Sequence, residues 1–388
     1  ELSAVRIVNL IILQAIKERV SDIHIEPFEK EIKLRYRIDG VLYDSPPPPK
    51  KMQAAIVSRI KIMSDLDIAE RRLPQDGRFR VRAQGREVDF RVSCLPTSFG
   101  EKIVLRVLDR SGLDSLDIDK LGFHEQGLEE FKRALASPYG IILLTGPTGS
   151  GKSTTLYSAL RVLNKPEVNI VTVEDPVEYQ ISGINQVSIK PDIGLTFAAG
   201  LRSILRQDPD VIMVGEIRDH ETADIAIKSA LTGHLVFSTL HTNDAAGAVT
   251  RLDDMGIEPF LISSSTLLVA AQRLVRRICK KCKKELDVPD EALTKAQMKR
   301  APGEKIVLYH GTGCPECKNS GYSGRIALIE TISIDDDIRN LIMTKATARQ
   351  IKLAAMEKGM NTLRMVGLSR VKKGLTTLDE VMRVTAAD

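Results

Sequence analysis

The feature that most constrains the fold of this chain is an apolar run that passes directly into a glycine-rich turn. Residues 141–145 read Ile-Ile-Leu-Leu-Thr, and residues 146–154 read Gly-Pro-Thr-Gly-Ser-Gly-Lys-Ser-Thr. An unbroken apolar run of this length is typical of a buried parallel strand, and residues 156–160 after the turn have helical character. The sequence therefore predicts a strand, a loop and a helix in immediate succession.

The spacing within the turn is Gly-x-x-x-x-Gly-Lys-Ser, which is typical of a loop that binds phosphate groups. Its glycines let successive N–H groups face phosphate oxygens, and the positive end of the following helix strengthens the attraction. Lys152 would contact the β- and γ-phosphates, and Ser153 would place its hydroxyl on Mg²⁺. A flexible surface loop is the alternative, but it would not need this spacing. The predicted nucleotide-binding residues of the loop are Gly146, Pro147, Thr148, Gly149, Ser150, Gly151, Lys152, Ser153 and Thr154.

Length and composition restrict the class of protein. The chain has 388 residues, which exceeds one average domain, so we expect at least two domains. Its 56 basic and 51 acidic side chains leave a net charge of +5, too small to indicate nucleic-acid binding by itself. No apolar run approaches the roughly 20 residues of a membrane span, and no signal peptide is recognisable, so we expect a cytoplasmic protein. Because the chain begins at Glu1 and not at Met, we also expect upstream domains.

Residues 1–109 predict a small α+β domain with an antiparallel sheet. Apolar residues at helical spacing indicate helices from Ala4 to about Val20 and from about Met52 to Met63. Alternating apolar and polar residues indicate half-buried strands, with a turn at Asp39–Gly40. The predicted strands are 23–26, 32–38, 41–43, 79–81, 87–92 and 103–108.

The arginines of this domain have two interpretations. They form either a solvated basic sheet face, or a set from which one or two side chains complete a nucleotide site in the manner of arginine fingers. The residues concerned are Arg71, Arg72, Arg78, Arg80, Arg82, Arg86 and Arg91.

Residues 110–120 are polar and short of large apolar side chains, so they predict an interdomain linker. From residue 121 to residue 388 the pattern changes to apolar strands that alternate with helices, which predicts an α/β domain with a doubly wound parallel sheet. The predicted strands are 141–145, 169–175, 211–216 and 235–240.

Two of these strands end in carboxylates, which the fold would place beside the phosphate loop. Asp175 follows one strand and Glu216 ends another, and the carboxyl ends of parallel strands meet at one edge of the sheet. We expect Glu216 to hold Mg²⁺ through water or to polarise the attacking water, because phosphoanhydride hydrolysis depends on positioning and charge neutralisation. Glu178 offers a further carboxylate with either a catalytic or a merely solvated role.

His234 and His241 stand on either side of the strand over residues 235–240. Beside a phosphate loop, a histidine can donate to the γ-phosphate and sense its loss. The alternative is a polar residue that is satisfied by its own neighbours. We favour the sensor role for His241 and leave both interpretations open for His234.

Four of the five cysteines form two Cys-x-x-Cys pairs, Cys279/Cys282 and Cys314/Cys317. Paired elements of this kind are typical of a tetrahedral Zn²⁺ site with four thiolates. Such a site has no open coordination position, so it would be structural. Redox-active or disulfide pairs are the alternative.

The combined motifs are similar to those of one family. They are residues 21–27 (Ser-Asp-Ile-His-Ile-Glu-Pro), 73–78 (Leu-Pro-Gln-Asp-Gly-Arg), 146–154, 174–178, 208–219, 232–234, 241–243, 272–277 and the four paired cysteines. The set resembles the secretion ATPases of the type II/type IV pilus superfamily, and most closely the type IV pilus assembly (extension) ATPases. The resemblance covers essentially the whole chain.

The resemblance implies a RecA-like ATPase core behind a PAS-like N-terminal domain, with a zinc insert over residues 279–317 and C-terminal helices. It implies a cytoplasmic homo-hexamer, docked at the inner membrane, that hydrolyses ATP with Mg²⁺. In this picture Arg78 and Arg91 match positions that reach the γ-phosphate when the N-terminal domain closes, and Arg276 lies near the adenine. The motion would pass to an inner-membrane platform protein and a cytoplasmic pilus or secretion assembly protein, and would add pilin subunits.

Three other functions are compatible with parts of the sequence. The type II secretion ATPases share nearly every motif, whereas retraction ATPases generally lack the four-cysteine insert. A nucleic-acid translocase could use the same core, but a chain with no Trp and 4% aromatic residues has no stacking platform, so we expect no nucleic-acid partner. A nucleotide-binding scaffold without turnover would leave the acidic residues idle.

Overall fold

The computed structural model describes residues 3–83, 85–109, 117–288, 290–295, 298 and 306–386. The chain divides into two compact units, Glu1–Ser115 and Leu116–Asp388. Of the expected linker over residues 110–120, residues 110–116 lie outside the described residues, and Ile118–Lys120 form a short 3-10 helix in the second unit. The domain boundaries expected at residues 109 and 121 stay predictions.

The first unit is an α+β structure with one antiparallel sheet. The strand order in its six-stranded sheet is β3-β2-β1-β6-β5-β4. A PAS-like fold for this unit stays a prediction. The elements are α1 (Ala4–Lys17), β1 (Asp22–Pro27), β2 (Ile32–Ile38), β3 (Val41–Ser45), α2 (Gln53–Met63), β4 (Gln75–Ala83), β5 (Arg86–Thr97) and β6 (Gly100–Asp109).

The sequence patterns explain why these elements form. Helix α1 carries apolar residues at helical spacing, and Val8, Ile12 and Ile16 are buried in the same core as the inward-facing strand residues. The hairpin between β2 and β3 turns at Asp39–Gly40, where φ is 50° and 86°. A two-residue hairpin turn requires this left-handed backbone, which Asp and Gly tolerate better than other residues.

The second unit is an α/β structure with a mixed sheet. Its seven strands have the order β15-β12-β7-β11-β10-β8-β9, and all neighbours run parallel except β12 and β15. Its elements up to the last parallel strand of this sheet are α3 (Glu125–Leu135), β7 (Gly140–Thr145), α4 (Lys152–Leu163), β8 (Ile170–Glu174), β9 (Asn185–Ser188), α5 (Phe197–Ile204), β10 (Val211–Val214), α6 (His220–Leu231), β11 (Leu235–Leu240), α7 (Ala245–Asp254), α8 (Pro259–Ser265) and β12 (Thr266–Ile278).

The rest of the second unit, as far as the structure describes it, holds a small two-stranded sheet, the antiparallel edge strand and five α-helices. Among the strands of the described residues, β13 and β14 pair only with each other. These elements are β13 (Lys283–Leu286), α9 (Asp290–Lys295), β14 (Leu308–Gly311), β15 (Tyr322–Ser333), α10 (Asp336–Met343), α11 (Ala348–Glu357), α12 (Leu363–Lys372) and α13 (Leu378–Val384).

Both faces of the seven-stranded sheet are covered, which accounts for the unbroken apolar run in β7. Ile141 and Leu143 belong to the core on one face, and Ile142 and Leu144 belong to the core on the other. A strand with two buried faces has no position for a polar side chain, so apolar and polar residues do not alternate. The prediction of an α/β domain with a parallel sheet core is confirmed.

Two long strands of this sheet were not among the predicted elements. Strand β12 lies beside β7 although the two are far apart in sequence, and β15 pairs antiparallel with β12. Charged residues such as Arg273 and Arg276 interrupt the apolar pattern of β12, so periodicity does not indicate a strand there.

Within the described part of the chain, no helix combines the length and the apolar composition needed to cross a bilayer.

Candidate functional site

The phosphate loop joins β7 to α4 and depends on its glycines. Gly146, Gly149 and Gly151 have φ values of 143°, 79° and 90°, a region that side chains disfavour. A Cβ at Gly146 would lie 2.5 Å from the carbonyl oxygen of Gln272, and a Cβ at Gly151 would lie 2.7 Å from its Nε2. The loop therefore needs glycine both for its turns and for its close packing on β12.

The start of α4 is ready to bind an anion. Gly151 is the N-cap of this helix, so no side chain caps the N–H groups of the first turn. Those groups and the helix dipole favour a negatively charged ligand. The hydroxyl of Ser150 is buried and has no hydrogen-bond partner among the described residues, although its side chain faces Gly146. Pro147, Thr148, Gly149 and Ser153 are exposed, and Thr154 is half-buried.

The side chain of Lys152 lies against the phosphate loop. Its Nζ donates hydrogen bonds to the carbonyl oxygens of Gly146 and Pro147, at 2.7 Å and 3.1 Å. Burial lowers the pKa of Lys152 to about 8, with an opposing effect from the Glu216 carboxylate and a further lowering from Arg273. A desolvated cation beside uncapped N–H groups is a strong site for phosphate oxygens.

Glu216 follows β10 and lies in a cluster of charged side chains at the same edge of the sheet. Arg218 donates to one of its carboxylate oxygens, and Nε2 of His241 lies 3.2 Å from the other. Arg218 also lies 3.3 Å from the carboxylate of Asp175. Burial acts to raise the pKa of Glu216, but Arg218 and His241 outweigh it and the pKa lies below its ordinary value. Glu216 is therefore ionised at neutral pH.

The acidic segment after β8 is held by the helix that begins at the phosphate loop. The hydroxyl of Tyr157, on α4, donates to the buried carboxylate of Glu174. The backbone N–H of Glu178 donates to the same hydroxyl at 3.2 Å. Burial, together with Glu174, raises the pKa of Tyr157, so this hydroxyl keeps its proton. Tyr157 thus fixes the backbone of Glu178 relative to α4.

Replacing Tyr157 by Phe removes this hydroxyl and leaves the ring in place. For the ATP hydrolysis that the family resemblance implies, we expect Tyr157→Phe to lower the rate about tenfold, because Glu178 loses one anchor and Glu174 loses a hydrogen bond in a buried site. Steady-state phosphate release measures the effect. Tyr139→Phe is the matched control, because Tyr139 is 53% exposed and lies outside this network. An unchanged rate in Tyr157→Phe would show that Glu178 does not need this anchor.

The two histidines lie at opposite edges of the sheet. His241 follows β11 at the carboxyl edge, next to Glu216. His234 precedes β11, where its Nδ1 lies 3.0 Å from the carbonyl oxygen of Ser229. The strand between them has 6 residues, so roughly 20 Å of extended chain separates them. His234 therefore does not lie beside the phosphate loop of its own chain, because a residue before a parallel strand lies at the amino edge, and a role for it in the site stays a prediction.

Arg276 lies further along β12 than the residues that pack on the phosphate loop. Its guanidinium donates to Glu380 of α13 at 2.8 Å and lies 4.1 Å from the ring centroid of Tyr322. The backbone N–H of Arg276 donates to the other oxygen of Glu380, also at 2.8 Å. This arrangement fixes the side chain, and its expected place near an adenine stays a prediction.

In the first unit, Arg78 and Arg91 are direct partners across β4 and β5. Arg91 is in turn the partner of Arg106 on β6, so three arginines form a row across the outer face of the sheet. Asp22 on β1 continues the row and accepts a hydrogen bond from Arg106 at 2.9 Å. Directly opposed like charges are unfavourable unless an anion compensates them. Arg106 was not among the predicted site residues, because only the strand register reveals the row.

Residues 272–277 were recognised from the sequence only as a motif, and Gln272 and Arg273 of β12 were given no role at the phosphate loop. Gln272 is 3% exposed, and its Oε1 accepts a hydrogen bond from Thr155 of α4 at 2.8 Å. Arg273 is 8% exposed and lies beside Gly146. The signal that could have found them is the adjacent polar pair Gln272-Arg273 directly after the apolar run over residues 267–271. Such a pair indicates buried polar side chains with a specific partner.

The four paired cysteines come together at the end of β12 and the start of β15. Their Sγ atoms all lie within 4.8 Å of one another. The Sγ–Sγ distances are 3.8 Å for Cys279–Cys314, 3.8 Å for Cys282–Cys317 and 3.6 Å for Cys314–Cys317. A tetrahedron of sulfurs about 2.3 Å from a central Zn²⁺ has edges of about 3.8 Å. The cluster therefore fits a four-coordinate metal.

The chain matches the family described as "Type II/IV secretion system protein" over residues 2–383. It is 55% identical over 389 residues to the type IV pilus assembly ATPase PilB of Myxococcus xanthus, covering 99% of this chain and 68% of that protein. It is 52% identical over 385 residues to the type II secretion system ATPase E of Vibrio cholerae, covering 98% of this chain and 75% of that protein.

A solved structure supports the same relationship. The crystal structure of the pilus retraction motor PilT with bound ADP is similar, with a TM-score of 0.66 and 27% identity. The similarity covers 100% of this chain and 98% of that one. The expected resemblance is confirmed, and the chain belongs to the type II/IV secretion system family of ATPases.

Proposed function

We propose that this chain is the ATP-hydrolysing motor of a type IV pilus assembly machine and works as a homo-hexamer. The observation that carries the proposal is the meeting, at one sheet edge, of the uncapped phosphate loop, Lys152 and the Glu216–His241 pair. The 55% identity to a pilus assembly ATPase over 99% of the chain supports the choice of machine. The type II secretion ATPase is the second candidate, supported by 52% identity over 98% of the chain.

Each residue of the site has a role that its chemistry supports. The N–H groups of the loop and Lys152 hold the phosphates, while Ser153 and Glu216 offer the oxygen ligands that Mg²⁺ prefers. Bound Mg²⁺ would neutralise charge on the β- and γ-phosphates. Glu216, which stays ionised, orients the attacking water, and His241 senses the γ-phosphate. Glu178 supplies a second carboxylate on the side of β8.

The arginine row of the first unit supplies the candidate arginine fingers. Arg78 and Arg91 have the charge that an arginine finger needs, and Arg106 extends their row across the sheet of the first unit. When the first unit closes on a nucleotide, they would contact the γ-phosphate, and hydrolysis would remove that contact. The cycle of closure and release is the power stroke. It would pass to an inner-membrane platform protein and a cytoplasmic assembly protein.

We also infer that the cysteine cluster holds a structural Zn²⁺. Replacing Cys314 by Ser removes one thiolate, so we expect the bound zinc to fall from about one ion per chain to a small fraction of that. Metal analysis of the purified protein measures the change. Cys94→Ala is the matched control, because Cys94 is buried in the first unit and belongs to the other hydrophobic core. Full zinc content in Cys314→Ser would contradict the assignment.

The choice of machine is tested by exchange of the matching region. This chain would replace the equivalent part of the Myxococcus pilus ATPase or of the Vibrio secretion ATPase, with the rest of each protein kept. Restored pili with no restored secretion would support the pilus motor, and the reverse result would support the secretion motor.

Single-stranded DNA is the control ligand in vitro, and we expect it not to raise the ATPase rate.

A further inference from the structure

A buried arginine lies at the carboxyl edge of the sheet, beneath the proposed nucleotide site. Arg273 of β12 is 8% exposed. Its Nη2 donates to the carbonyl oxygen of Asn243 at 2.8 Å, and its Nη1 donates to that of Gln272 at 3.1 Å. Among the described residues, no carboxylate lies within ion-pair distance of it. Burial lowers the pKa of Arg273, and the more distant carboxylates of Glu330 and Asp244 oppose this effect.

A buried carboxylate on the next strand binds the same segment from the other end. Glu330 of β15 is 1% exposed. One of its oxygens accepts the backbone N–H of Ala245, the first residue of α7, at 2.8 Å. The other accepts the backbone N–H of Leu363, the first residue of α12, also at 2.8 Å. Both oxygens therefore bind N–H groups in the first turn of a helix, where negative charge is favoured, and they supplement the N-cap side chains of Asp244 and Thr362, which accept from other N–H groups.

The segment between these contacts connects His241 to α7. Arg273 holds the carbonyl of Asn243, and Glu330 holds the N–H of Ala245, two residues later. At the start of the segment, the N–H of Thr242 donates to Oγ1 of Thr145 at 2.8 Å. The backbone that follows His241 is therefore bound by β7, β12 and β15 in turn. This network fixes the direction from which the histidine approaches Glu216.

We propose that Arg273 and Glu330 are positioning residues that hold His241 against Glu216, without contacting the nucleotide. The inference rests on the proposed function, because the Glu216–His241 pair must act in hydrolysis for its position to matter. Glu330 extends the network to α12 through Leu363. A change at the γ-phosphate that moves His241 would therefore also act on the start of α12.

The test separates turnover from binding in the full-length hexamer. We expect Arg273→Met and Glu330→Gln each to lower kcat about tenfold, because His241 loses its fixed approach. Affinity for a fluorescent non-hydrolysable ATP analogue should stay within about threefold of wild type, since a positioning role gives neither side chain a contact with the ligand. Arg273→Lys keeps the charge and a donor toward Asn243, so we expect it to recover part of the lost rate.

A double variant tests whether the two residues act on one segment. If they do, kcat in Arg273→Met/Glu330→Gln should fall by less than the product of the two single losses. Glu130→Gln is the matched control, because Glu130 accepts a hydrogen bond from Thr331, the next residue of β15, on the opposite face. We expect that control to keep the wild-type rate.

Three results would overturn the positioning role while wild-type protein hydrolyses ATP. The first is a wild-type kcat in both Arg273→Met and Glu330→Gln. The second is a loss of nucleotide affinity in these variants as large as their loss of kcat. The third is a kcat in the double variant that falls by the full product of the two single losses. If Glu330→Gln does not fold, Glu330→Asp decides, because it keeps the charge but is too short to reach both N–H groups. A wild-type kcat in Glu330→Asp would overturn the proposal. An inactive wild-type hexamer would instead contradict the proposed function.

Discussion

Replacing Glu216 by Gln is expected to reduce kcat for ATP hydrolysis about a thousandfold while ATP still binds. Gln keeps the shape of the side chain, but it has no negative charge and cannot orient water as a proton acceptor. In the structure, Arg218 and His241 hold this carboxylate in its ionised form. Steady-state phosphate release measures kcat, and a fluorescent nucleotide measures affinity, which we expect to change by less than about threefold.

The control for this prediction is Glu221→Gln, a change of the same kind at an exposed site on α6. Glu221 pairs with Arg202 on the protein surface and lies outside the charged cluster. We expect Glu221→Gln to hydrolyse ATP at the wild-type rate. Phosphate release by Glu216→Gln at a rate close to wild type would exclude Glu216 from the chemical step. Glu178 would then be the remaining candidate for the residue that orients water.

Replacing Lys152 by Ala is expected to abolish measurable turnover, with kcat/KM at least about a thousandfold lower. The change removes a lysine that is buried against the phosphate loop and donates to its carbonyl oxygens. Unlike Glu216→Gln, it should weaken nucleotide binding strongly, because a desolvated charge contacts the phosphates in both the ground state and the transition state. Equilibrium binding and phosphate release together distinguish the two variants.

The lowered pKa of Lys152 provides a second measurement for the same variant. With a pKa of about 8 in the nucleotide-free protein, Lys152 loses much of its charge between pH 7 and pH 9. Phosphate favours the charged form, so nucleotide binding should take up protons increasingly over this interval. Calorimetry in buffers of different ionisation enthalpy measures that uptake. It should be absent in Lys152→Ala and normal in Lys165→Ala, where an exposed lysine beyond the end of α4 is removed.

Local sequence determined the phosphate loop and the carboxylates of the site. The strand–loop–helix unit of β7 and α4 is contiguous, so the order of its residues contains the whole geometry. Glu216 could be placed because the carboxyl ends of parallel strands share one edge of a sheet. The same rule would have placed His234 at the opposite edge, since it precedes its strand. The cysteine pairs were recognisable because each pair is local, although their meeting in space was not.

Tertiary structure decided everything that depends on which distant segments become neighbours. Arg78, Arg91 and Arg106 form a row only because strands β4, β5 and β6 pair in one register. Gln272 and Arg273 reach the phosphate loop because β12 inserts beside β7, a long-range pairing that no local pattern encodes. Sequence by itself determined the chemistry of this protein, because that chemistry lies in short motifs. The fold decided which buried charges support it, because packing brings together residues far apart in the chain.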